Sequence, residues 1–143
     1  MAAGLKPTPY TRDILRLAAS IPHLEPIADP QGRREMRSRT CGARMAAQYR
    51  IEEGKLAALG LEVEACAFGQ AAANLMARHA LGSDVAMVRQ AAKGLEAWLK
   101  GEAAEPQGWP ELERLSPARH LAGRHEAMML PFRLLLSLFE ESR

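Results

Sequence analysis

The stretch MMLPFRLLLSLF, from Met128 to Phe139, constrains the fold more than any other part of this chain. As a helix it is apolar almost all the way round, so it must be buried on several sides. It is too short to span a bilayer, and it carries Pro131 and Arg133. The rest of the chain must therefore wrap it. Leu121, His125, Met128, Phe132, Leu135 and Phe139 recur at helical spacing, which predicts a last helix from near Pro117 to about Glu140.

The 143 residues fit one domain, 1–143, with enough interior for a core. Tyr10 to Ser20 reads as a first helix with Ile14, Leu17 and Ala18 on one face. IPHLEPIADPQGRREMRSR follows, and its prolines and glycine predict a long surface loop. Leu59, Leu61, Val63 and Ala65 then alternate with Gly60, Glu62 and Glu64, the period of a half-buried strand. EEGK separates this run from RMAAQYRIE, which predicts a hairpin. Further helices are expected from about Gln70 to Ala80, ended by Gly82, and from a cap at Ser83 or Asp84 to Gly101. A linker with a short helical turn starting at Pro110 precedes the last helix. The order implies an α+β fold: a small antiparallel sheet of about three strands packed against several helices.

Composition removes several functions. The net charge is +2 with arginines spread along the chain, which gives nucleic acid no basic face. Aromatic residues are too scarce for a base-stacking platform. The first residues, MAAGLKPTPYTRDILRLAAS, contain no long apolar run, so no secretory leader is expected, and no membrane span either. A cytoplasmic location follows as the expectation. In a reducing compartment Cys41 and Cys66 would not form a structural disulfide, which leaves ligand, catalytic or core roles.

The candidate chemistry is sparse. HEAMM, from His125 to Met129, has a methionine where a metalloprotease helix needs its second histidine. There is no phosphate-binding Walker loop, glycine-rich dinucleotide turn or Gly-x-Ser-x-Gly elbow. Cys41 opens the first hairpin strand, with Gly42 behind it, and Cys66 ends the second. Neighbouring hairpin strands can thus bring both thiols towards one ion. A lone cysteine is equally a small core hydrophobe, so both readings stay open. His125 on an apolar stripe also suits a hydrogen-bonded core histidine, and Glu126 a solvated carboxylate. His23, His79 and His120 read as ordinary loop or helix-surface histidines.

The order of pieces resembles the iron–sulfur cluster assembly scaffold family, of the IscU, SufU and NifU N-terminal domain type. The resemblance covers most of the chain. A Tyr-led helix, YTRDILRLAAS, precedes a Pro-rich approach. Cys41-Gly42 then opens a strand, a strand-end cysteine begins CAFGQAAANLM, and a mid helix leads to a last helix with His125-Glu126 near its start. In that family three cysteines and an Asp or His hold a nascent [2Fe–2S] cluster or a zinc ion. Sulfur comes from a cysteine desulfurase, and the cluster goes to client apo-proteins. The resemblance matches Cys41, Cys66 and His125 to family ligands. The family's Asp after Cys-Gly is Ala43 here, and its third cysteine is Glu126.

The implied ligand set for metal or cluster is therefore Cys41, Cys66, His125 and Glu126. It suits iron or a [2Fe–2S] cluster and, alternatively, tetrahedral zinc. Adjacent helical residues point about 100° apart, so one of His125 and Glu126 would bind while the other orients a neighbour or stays free. The implied function is a non-enzymatic scaffold. The alternatives are a zinc-binding sulfur-relay or regulatory protein of the same fold, and a metal-free interaction module that buries its apolar last helix against a partner. Homo-oligomerisation stays open.

Overall fold

The computed structural model describes residues 10–141. The start of the stretch read above as lacking a secretory leader lies outside them. Helix α1, Arg12–Ala19, is capped by Thr11, whose hydroxyl accepts the Ile14 N–H at 3.1 Å, and it buries Ile14 and Leu17. Three strands follow, β1 Gly32–Arg37, β2 Arg44–Glu52 and β3 Lys55–Glu64. They form an antiparallel sheet in the order β1-β2-β3. Helices α2, Ala67–Ala77, and α3, Val85–Leu99, come next. A 3₁₀ segment, Leu112–Ala118, and α4, Ala122–Glu141, complete an α+β architecture.

The β2–β3 hairpin closes through Glu53 and Gly54, both at positive φ (53° and 77°), as a two-residue turn whose twist matches the strands requires. One sheet face carries Met45, Ala47 and Tyr49 opposite Val63, Leu61 and Leu59, and turns them into the core. The other face carries Arg33, Glu35, Arg44, Glu62 and Glu64 in a lattice of ion pairs. Asp84 caps α3 by accepting the Met87 N–H at 2.9 Å, as the sequence predicts.

Helix α2 runs through the middle of the helical layer, with Phe68, Ala71, Ala72, Leu75 and Met76 all buried. Tyr10 stacks on Phe68 at 5.1 Å. Trp109 donates its indole N–H to the Leu75 carbonyl and meets Phe132 of α4 edge-on. The apolar stretch of α4 is buried as expected, including Met128, Leu130, Phe132, Leu134, Leu135 and Leu138. Among the described residues no helix is long and apolar enough to cross a membrane.

Three expectations need correction. The stretch read as one long surface loop contains strand β1. Its inward positions are Gly32, Arg34 and Met36, which hide the hydrophobic alternation. At Gly32 a Cβ would meet the Tyr49 hydroxyl at 2.9 Å, so a larger residue there would have to displace that ring. The part before β1 is irregular, as are Ser38 and Arg39 after it, and the part before lies along β3: the Leu61 N–H donates to the His23 carbonyl, and Gly60 leaves room for the Glu25 carbonyl. Helix α2 starts at Ala67, not near Gln70, with Cys66 as its N-cap. Helix α4 starts at Ala122, because Pro117 belongs to the preceding 3₁₀ segment.

Candidate functional site

The end of the sheet where β2 begins and β3 finishes gathers the chemistry-bearing residues. Arg44 and Glu64 are the last pair of the β2–β3 ladder at that end, joined by an ion pair. Cys41 lies just before Arg44 in the turn between β1 and β2, and Cys66 just after Glu64 at the start of α2. The strand-end geometry expected from the hairpin thus places both cysteine-bearing segments at one edge. Cys41 is exposed and Cys66 is half-buried.

The Cys41 turn is internally braced. Ser38 donates its backbone N–H to the Ala43 carbonyl at 2.8 Å, and its hydroxyl lies 3.1 Å from the Cys41 sulfur. Gly42 takes φ +72°, a conformation that glycine reaches without strain. Ala43 turns into the core, 3% exposed. The position at which the family resemblance expects an Asp is therefore part of the apolar interior here.

Helix α4 brings its N-terminal part to the same edge through Glu126, the fifth residue of the helix. Glu126 accepts the Thr40 hydroxyl at 2.6 Å on one carboxylate oxygen and the Arg39 backbone N–H at 3.2 Å on the other. The Thr40 hydroxyl, the Arg39 N–H and the Ser38 hydroxyl, with the Arg133 guanidinium, hold this carboxyl below the usual glutamate range. On the α2 side, a Cβ added at Gly69 would lie 3.3 Å from the Ala127 Cβ. The start of α2, with Cys66, is therefore pressed against the start of α4.

His125 turns elsewhere. Its Nε2 lies 2.6 Å from the Arg119 carbonyl oxygen, which can only accept, so Nε2 is the donor. His125 and Glu126 both border a cleft of about 250 Å³ between α3 and α4, with Leu99, Lys100, Met129 and Arg133. The divergence of adjacent helical side chains is visible in their different partners.

Of the residues singled out in the sequence, Glu126 is joined to the Cys41 turn by direct bonds, Cys66 is brought to the same edge through the α2–α4 contact, and His125 is anchored to the chain before α4. Among the described residues no group of three or more His, Cys, Asp or Glu side chains is placed to hold a metal ion. Sequence reasoning missed Arg39 and Thr40. The signal lay in SRTCG, but nothing local ties that turn to a residue 86 positions later.

No protein-family model matches the chain, and no curated protein matches it. Solved structures do. A nitrogen-fixing NifU-like protein (N-terminal) from Brucella abortus superposes with a TM-score of 0.85 at 26% identity, over 94% of this chain and 96% of that one. The putative iron–sulfur cluster assembly scaffold protein for the SUF system from the thermophile Fervidobacterium islandicum AW-1 superposes with a TM-score of 0.80 at 17% identity, over 89% and 93%. The structural neighbours are thus NifU-like N-terminal and SufU scaffold proteins over most of the chain, the resemblance that the order of sequence pieces carries.

Proposed function

We propose that this chain is a diverged iron–sulfur cluster assembly scaffold. Its cargo is iron or a transient [2Fe–2S] cluster, and its protein donors are Cys41, Cys66 and a third from the His125–Glu126 pair. The observation that carries the reading is the convergence of both cysteine-bearing segments and the N-terminal part of α4 at one edge of a sheet whose fold neighbours are such scaffolds. By the same likeness its partners are a cysteine desulfurase and client apo-proteins. The chain's own part is to present thiolates and to hand the cargo on, without turnover of a substrate.

Soft thiolates suit iron in a cluster, and the imidazole Nδ1 of His125 is a borderline donor suited to iron or zinc. The orientation of His125 is already fixed by the bond from Nε2 to the Arg119 carbonyl, the arrangement by which proteins aim a ligating imidazole.

Iron and acid-labile sulfide are to be measured in untagged protein purified anaerobically, beside a Cys41→Ala, Cys66→Ala double variant. Matching iron and sulfide, lost in the variant, is the expected result. Zinc without sulfide, also lost in the variant, would replace this reading with the zinc-binding sulfur-relay alternative. No metal in either sample would leave the metal-free interaction module.

A further inference from the structure

We infer that Glu126 is a positioning residue that clasps the Cys41 turn to α4, and that it does not itself donate to the cargo. The inference rests on the scaffold reading for the cargo, and on geometry alone for the clasp.

Both carboxylate oxygens of Glu126 are engaged, and both engage successive residues of the one turn, the Arg39 N–H and the Thr40 hydroxyl. Cys41 follows immediately. The Ser38 hydroxyl fixes the turn from within, at the Cys41 sulfur and backbone N–H. Glu126 fixes it from outside, from another element. A negative acceptor is stronger than a neutral one, so the carboxylate suits this task better than an amide or hydroxyl would. A move to a metal would take Glu126 from partners it already touches, whereas among the described residues no group of three potential ligands is assembled around it. Its neighbour His125 turns to another partner, as adjacent positions on a helix should.

The clasp has a consequence for loading. With the turn already held by Glu126, less chain must be ordered when cargo arrives, and so less entropy is lost on binding. The third position then falls to His125 or to a donor carried by the cargo, and a site with fewer protein donors holds a cluster that can leave.

The test uses the full metal-free chain, labelled for amide hydrogen exchange, with variants Glu126→Ala, Glu126→Gln and Thr40→Ala. In Glu126→Ala the Arg39 amide should exchange about tenfold faster or more, while the β2–β3 ladder amides are unchanged. Glu126→Gln, which keeps one acceptor oxygen, and Thr40→Ala should lie between that variant and the parent. Unchanged Arg39 exchange in Glu126→Ala would overturn the clasp. Cobalt(II) then probes the donors. Glu126→Gln should keep the parent's thiolate-to-cobalt charge-transfer band and d–d envelope, and Glu126→Ala should bind about tenfold more weakly with the same spectrum. A changed d–d envelope in Glu126→Gln, together with deprotection of the parent's Arg39 amide on adding cobalt, would make Glu126 a ligand and overturn the proposal. If cobalt binds no form of the protein, the scaffold reading fails, and the Arg39 exchange rates still decide the clasp.

Discussion

Gly69 of α2 and Ala127 of α4 meet where the two helices begin, and any side chain at 69 would collide with Ala65 at 2.8 Å before it reached Ala127 at 3.3 Å. This contact sets the distance between the Cys66 cap and the Glu126 turn. Gly69→Ala should destabilise the protein by about 1–3 kcal/mol, because a well-packed interface must shift to admit the methyl group. Thermal unfolding checks this, and an unchanged midpoint would show that the helices are not in close contact there.

Restoring the family's carboxylate beside Cys-Gly should not restore a ligand. Ala43 is packed in the core, so Ala43→Asp would bury a charge without a partner and cost about 3 kcal/mol. Urea unfolding of the variant should show an earlier midpoint. A variant as stable as the parent that also gained metal affinity would mean that position 43 faces the site.

Asn74 holds α1 to α2 from a fully buried position. Its amide donates to the Leu17 carbonyl at 2.8 Å and to Ser20, while its oxygen accepts from Arg78 at 2.9 Å. Asn74→Leu leaves those partners unsatisfied and should cost about 2–3 kcal/mol. Faster amide exchange confined to α1 would accompany the loss, and an unaffected α1 would refute the assignment.

Glu111 carries the pH dependence of the opposite end of the fold. His79, Arg114 and Arg78 all bond its carboxylate, with the His79 contact at 2.8 Å the strongest influence, and its pKa falls from the ordinary 4.5 to about 2. A carboxyl depressed by folding stabilises the folded state above pH 4.5, and that contribution is lost as pH falls towards 2. The parent should therefore be more stable than Glu111→Gln at neutral pH, and the difference should shrink across that window. A difference that stays constant from pH 6 down to about 2 would exclude the linkage.

What could be read in the sequence had a local cause. The hairpin announced itself through alternation and a Gly-containing turn, α3 through the Asp84 cap, and α4 through an apolar run that had to be buried. Strand β1 was hidden because its core-facing places hold Gly32, Arg34 and Met36, and its stability comes from partners on β2 and β3. The site was legible only as a set of residue types at strand and helix ends. Their partners were not, since Glu126 with Thr40, and His79 with Glu111, pair residues far apart in the chain whose approach depends on the packing of whole helices.

The charge lattice on the outer sheet face also bears on how β1 could pair with a second molecule. β1 is the outermost strand on its side, and a second molecule adding to it antiparallel about Glu35 would set Glu35 against Glu35 and Arg33 against Arg37. Like charges directly opposite each other disfavour such a pairing. The same side chains that zip the three strands together within one molecule therefore oppose that one register of pairing between molecules.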